Sequence, residues 1–182
     1  MIMRGLSASG KSTVSQKLVD ISGAIRIRSD VERKRLFGIT STNDAADEID
    51  TKINTGIYSE KASQLTYEKL IDLASMIIRA GYDAIVDAAF LKHEQREPFE
   101  KLAEQLKAPY VILQVTAPAE ILRQRISQRK NDVSDADLAV LEHQLANLQP
   151  LDKKEKRSAI SENTEKRLQK DITLEKKKNE KS

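Results

Sequence analysis

Apolar residues follow two rhythms along this chain. Short runs such as Ile2-Met3, Ala84-Ile85-Val86 and Tyr110-Val111-Ile112-Leu113-Gln114-Val115, and the alternating stretch Ala24-Ile25-Arg26-Ile27-Arg28, read as strands. Between them the spacing turns helical. Val14, Leu18 and Val19 precede Gly23, and residues 31–37 form a short helix stopped by Gly38. Residues 57–80 carry Ala62, Leu65, Leu73 and Ile77 on one face before Gly81. Pro98 is tolerated in a first turn, which places the start of the next helix near residues 94–97, with its end near 107. Pro118 opens a helix to about 130. Ser134-Asp135-Ala136-Asp137 caps another, whose apolar face is Leu138, Leu141, Leu145 and Leu148. Residues 39–52 are polar and acidic and read as a loop or broken helix. Beyond Pro150 a short strand at 158–161 and a polar helix at 165–178 are predicted. Strands alternating with helices argue for an α/β sandwich around a parallel sheet.

Composition narrows this picture. The length of 182 residues suits one domain, taken as 1–175, with residues 176–182 as a charged, fraying tail. Aromatics are 4% and Trp is absent, so the core is aliphatic. The net charge of +3 divides unevenly: residues 1–150 carry −1 and residues 151–182 carry +4. The positive charge belongs to the tail, which argues against nucleic acid as a partner of the body. No apolar run reaches the ~18 residues of a membrane span. The opening residues lack the apolar stretch of an export signal, which points to a cytoplasmic protein. With no Cys, thiolate metal sites and cysteine nucleophiles are excluded. Oligomeric state has no signature in the sequence.

The chemistry lies first in Gly5-Leu6-Ser7-Ala8-Ser9-Gly10-Lys11-Ser12, which matches G-x-x-x-x-G-K-[S/T], with Thr13 continuing into the helix. Backbone N–H groups wrapped around phosphate oxygens need glycine for close approach and positive φ. The helix that follows offers its unpaired N–H groups and dipole to an anion. Lys11 then neutralises the β- and γ-phosphates of a nucleotide such as ATP, and Ser12 ligates Mg2+. Asp87 closes a buried strand, where a carboxylate faces the ligand crevice and holds the metal's water shell; alternatively it caps the strand end. Asp30 ends the second strand, expected beside the phosphate loop, and reads as a general base for an attacking hydroxyl, or as the N-cap of the helix from Val31. Arg33, one turn on, reads as a substrate contact or a solvated charge. Arg123, Arg125 and Arg129 cluster on one helix; Arg125 and Arg129 share a face suited to the charge of a transferring phosphoryl group, against the alternative of a solvated face. His93 and His143 stand apart and read as surface or packing residues. The guanine-reading N-K-x-D of a GTPase is missing.

These pieces together resemble the small bacterial P-loop kinases related to zeta-toxin, polynucleotide and gluconate-type kinases. The likeness rests on Gly5 through Thr13, on Arg28-Ser29-Asp30-Val31-Glu32-Arg33-Lys34, and on Val86-Asp87-Ala88-Ala89-Phe90-Leu91 with Arg96. It extends to Arg125 through Arg129, Asp132 to Ala136, Gln144 and Pro150. The resemblance implies a P-loop NTPase three-layer sandwich whose parallel sheet has five strands. It implies Asp30 as base, Arg33 and Arg96 toward substrate, and Arg125 and Arg129 in a lid at about 123–135. Ala8 stands where a loop glycine is common, and Ala89 where Thr or Asn is common. The expectation is an ATP- and Mg2+-dependent kinase acting on a hydroxyl of a small-molecule acceptor. The alternatives are a polynucleotide 5′-hydroxyl kinase, and an ATP-binding module that hydrolyses slowly.

Overall fold

A computed structural model describes residues 1–38, 59–128 and 135–165 of the chain. Its first half runs β1 (Ile2–Arg4), α1 (Lys11–Ser22), β2 (Ile25–Arg28), α2 (Ser29–Leu36), α3 (Glu60–Arg79) and β3 (Ala84–Asp87). Its second half runs α4 (His93–Gln105), β4 (Ile112–Thr116), α5 (Ala119–Ser127), α6 (Asp135–Ala146), a 3-10 turn (Glu155–Ser158) and β5 (Ala159–Asn163). The five strands form one sheet in the order β2-β3-β1-β4-β5, and every pairing is parallel.

Strand alternation divides the core between the two faces of the sheet. Ile2, Ile27, Val86 and Ile112 point to one face and pack with Leu70 and Ala74 of α3 and Phe99 and Leu102 of α4. Met3, Ile85, Leu113 and Val115 point to the other and pack with Val14 of α1. A third cluster joins Leu6 to Leu122 and Ile126 of α5 and Leu141 of α6. The result is the expected three-layer α/β sandwich, with helices on both faces of a five-stranded parallel sheet. Among the described residues no helix is long and apolar enough to cross a membrane.

Three local expectations change. Pro98 lies in the second turn of α4, which begins at His93. Its early donors are met without it: Gln95 Oε1 accepts the Lys92 N–H at 3.1 Å, and Gln149 Oε1 accepts the His93 N–H at 2.7 Å. Asp30 is not a helix cap, because α2 begins a residue earlier at Ser29 and Asp30 sits inside its first turn. Nor is β2 beside the strand that feeds the phosphate loop, since β3 lies between β2 and β1. Residues 39–58, 129–134 and 166–182 lie outside the described part of the chain, and with them go the acidic stretch, Arg129, part of the expected lid, the polar helix and the tail.

Candidate active site

β1 delivers the chain into the loop of residues 5–10, and α1 takes it out at Lys11. Gly5 is required by space: a Cβ there would meet Val115 O at 2.5 Å and Ser9 Oγ at 2.8 Å. Gly10 turns the chain into α1 at φ 93°, and Ala8 is also left-handed, at φ 60°. Val14 N–H already bonds Gly10 O at 3.1 Å, but the N–H groups of Lys11, Ser12 and Thr13 precede any partner within α1. They form the anion-binding end of the helix. Lys11 Nζ crosses the loop and donates to Gly5 O at 2.7 Å and Leu6 O at 2.9 Å. Arg125 donates to Ala8 O at 3.2 Å and to Thr164 Oγ1 at 2.9 Å, and Thr164 Oγ1 donates to Ser9 O at 2.9 Å.

Ala8 therefore occupies a position glycine would adopt without strain. The left-handed conformation costs alanine about 1–2 kcal/mol, while glycine's extra freedom in the unfolded chain costs about 0.5–1 kcal/mol. Ala8→Gly is expected to leave stability within roughly 1 kcal/mol of the parent or slightly above it. Chemical denaturation checks this, and a loss of 2 kcal/mol or more would contradict the loop geometry.

Lys11, Ser12, Arg28, Ser29, Asp30, Asp87, Ala88 and Ala89 line a cleft of about 150 Å³ in front of this loop. Asp87 ends β3 at 6% exposure and accepts a hydrogen bond from Ser15 Oγ at 2.9 Å. Asp30 is 59% exposed on its side chain, and Arg28 grips both its oxygens, Nε to Oδ1 at 3.1 Å and the terminal nitrogen to Oδ2 at 2.6 Å. Arg28 escaped the sequence reading as a site residue. Its signal was the register, Arg28 opposite Asp87 across β2 and β3, which only the sheet order reveals. Ser12 and Asp87 put a hydroxyl and a carboxylate on the same cleft, the hard-oxygen donor set that suits Mg2+.

The other expected site residues are placed differently. Arg33 is half-buried and near enough to Tyr67 for its charge to bear on that phenol, which burial raises to about 12 against the Phe90 N–H and the charges of Arg33 and Arg96. Tyr67 Oη accepts the Phe90 N–H at 3.0 Å, fixing the left-handed Phe90 (φ 49°) in the segment after Asp87. Arg123 pairs with Glu142 at the surface, at 2.7 Å.

Arg96, expected toward substrate, is not among the residues that line the cleft. It is 1% exposed and pairs with Glu155, Nε to Oε1 at 2.6 Å and the terminal nitrogen to Oε2 at 3.0 Å. Its remaining donors reach Phe90 O and Leu91 O, both at 3.1 Å, and Pro150 O at 3.3 Å. A guanidinium with five donors in a rigid fork is suited to tying several carbonyls to one carboxylate. Arg96 thus ties the segment after β3 to Glu155.

Burial alone would raise the Glu155 carboxyl. The Arg96 hydrogen bonds, the Asp152 N–H, the Arg96 charge and His93 outweigh it and hold the group at about 2, against an ordinary 4.5. Because the folded value is the lower one, this pair stabilises the fold fully above about pH 4.5, and the contribution fades as pH falls through about 2. Acid titration of unfolding is expected to show that component, and Glu155→Gln is expected to remove it.

The family described as an AAA domain matches residues 1–151. An uncharacterized protein of Mycobacterium tuberculosis is 24% identical over 137 residues, which are 74% of this chain and 26% of that protein. An uncharacterized protein of Mycobacterium bovis matches equally. The chain thus spans about a quarter of the length of the curated relatives it matches. Among solved structures, an unliganded sugar kinase from Janibacter sp. HTCC2649 superposes with a TM-score of 0.64 at 23% identity, over 89% of this chain and 83% of that one. A gluconokinase from Sinorhizobium meliloti 1021 superposes with a TM-score of 0.58 at 18% identity, over 89% and 80%. At these identities the likeness is one of fold.

Proposed function

Taking as premise that the chain belongs to the AAA domain family and has the fold of a small P-loop kinase, we propose that it transfers the γ-phosphate of ATP to a hydroxyl of a small molecule. The observation that carries this reading is the convergence of Lys11, Ser12, Asp30 and Asp87 on one cleft. A carboxylate on the same cleft supplies a proton acceptor for an attacking hydroxyl, of an acceptor molecule in a kinase or of water in an ATPase. The loop N–H groups and Lys11 would hold the phosphates, and Ser12 and Asp87 would hold a Mg2+ ion, which would supply positive charge to the triphosphate. Arg125, bonded to the loop at Ala8 O, would have to leave that carbonyl to meet the charge that spreads over the transferring group.

Asp30 turns one oxygen from Arg28 to accept the acceptor's proton. Arg28 then remains beside the acceptor as a cation. A sugar kinase and a gluconokinase share the fold, so sugars and gluconate are the first acceptors to try. A cleft of about 150 Å³ suits a small molecule, and the near-neutral body gives a nucleic acid little to bind.

The test is a panel of hydroxylated acceptors with ATP and Mg2+, followed by Asp30→Asn on any acceptor that is phosphorylated. Transfer is expected to fall by about 10²–10⁴-fold with ATP affinity preserved; transfer at the parent rate would remove Asp30 from the role of base. A second reading is favoured by the Arg28 grip on Asp30: a nucleotide-binding module whose base is kept engaged. It predicts ATP binding and slow hydrolysis with no acceptor phosphorylated.

A further inference from the structure

The phosphate loop has a partner outside the cleft that the proposed reaction does not use. α6 (Asp135–Ala146) brings Leu138, Leu141 and Leu145 into the cluster around Leu6, with Ala8 at its margin. Gln144 lies three residues after the fully buried Leu141, so both reach the same side of the helix. Its Oε1 accepts the Ser7 N–H at 2.7 Å.

Ser7 is the hinge of the loop's unusual geometry. On one side is Leu6, whose carbonyl is bonded by Lys11 Nζ at 2.9 Å and by Ser9 N–H at 3.2 Å. On the other is Ala8, left-handed, with its carbonyl bonded by Arg125. The Ser7 N–H is thereby committed to the protein. The donors offered to a ligand begin beyond it, and the peptide plane between Leu6 and Ser7 has one orientation before any ligand arrives. Ordering completed in advance does not subtract from binding.

We propose that Gln144 is a positioning residue of the phosphate loop: by accepting the Ser7 N–H it couples α6 to the loop and presets it for a polyphosphate. The ligand half of this statement rests on the ATP reading above. The bond itself does not.

The experiment uses the full chain and three variants. Gln144→Met has similar length and replaces the amide oxygen with a thioether, a far weaker acceptor. Gln144→Glu keeps an acceptor. Leu145→Ala loosens the same cluster but leaves the bond. Hydrogen exchange at the Ser7 amide is followed without nucleotide, ATP·Mg2+ affinity by calorimetry, and melting temperature in parallel. Ser7 exchange is expected to quicken at least tenfold in Gln144→Met, and the ATP dissociation constant to rise about tenfold, equivalent to about 1.4 kcal/mol. Leu145→Ala is expected to lower the melting temperature without either change. Gln144→Glu is expected to keep Ser7 protected, so the bond remains testable if the Met variant does not fold. Unchanged Ser7 exchange in Gln144→Met overturns the proposal, as does loss of Ser7 protection in Gln144→Glu. Parent ATP affinity in a Met variant whose Ser7 is released also overturns it. If the parent chain binds no ATP, the kinase reading falls by itself, and the exchange data still decide the Gln144 bond.

Discussion

Lys11→Met is expected to abolish the thermal shift that ATP·Mg2+ gives the parent chain and to lower phosphoryl transfer by roughly 10²–10³-fold. The size follows from where the ammonium sits. Its Nζ lies against Gly5 O and Leu6 O at the mouth of the loop, so it is already held where phosphate oxygens would replace those carbonyls. Methionine keeps the length of the stem and removes the charge, leaving the loop N–H groups as the main attraction for the anion. At a hundredfold excess of ligand over its dissociation constant the parent gains about 2.7 kcal/mol from binding; the variant is expected to gain almost none. Without ligand the variant also loses two charge-assisted hydrogen bonds, to Gly5 O and Leu6 O, so its nucleotide-free melting temperature is measured as well and the ATP-induced shift is read as the difference between the two. Differential scanning fluorimetry with and without ATP measures both. An ATP-induced shift equal to the parent's would exclude Lys11 from the phosphate site.

Arg96→Leu is expected to destabilise the fold by about 3–5 kcal/mol. Glu155, 2% exposed, would keep its charge or take up a proton in the interior with only the Asp152 N–H and His93 beside it. Phe90, Leu91 and Pro150 would each lose a donor to their carbonyls. Removing both partners is a different experiment. Arg96→Leu combined with Glu155→Leu removes both charges, so the pair is expected to lose much less than the sum of the single changes. Urea unfolding of the four chains yields the coupling energy. A normal stability for Arg96→Leu together with a lost acceptor affinity would return Arg96 to the substrate role first expected of it.

Arg96 also shows where sequence reading stops. Gly5 through Thr13 was legible because its demands are local: space at Gly5, positive φ at Gly10, and a helix beginning at Lys11. The place of Asp87 at the end of a buried strand, on the cleft, was legible from the short apolar run before it. The alternation of strands and helices carried the layer architecture, and even the short strand near residue 160 joined the sheet.

What remained hidden depends on partners distant in sequence. Nothing near Arg96 announces Glu155, and the charge-rich stretch beyond Pro150 disguises a buried carboxylate as one more surface charge. Sheet order is equally non-local, so the position of β2 beyond β3 was out of reach, and with it the meeting of Arg28 and Asp87. The contact between Gln144 and Ser7 requires α6 to fold back across the loop, a fact of packing that no spacing encodes.

The central place of β1 bears on how the chain acquires its shape. This three-residue strand is made first, yet Ile2 finds its neighbours at Val86 on one side and Ile112 on the other. Closing such long loops carries an entropic cost that local contacts do not share, and parallel sheets of this kind form slowly. On the ribosome, the glycine-rich segment must wait, without its supporting strand in place, until β4 has emerged. The part of the molecule with the strictest geometry is therefore among the last to be fixed, and a nascent chain arrested before residue 112 is expected to have no nucleotide site.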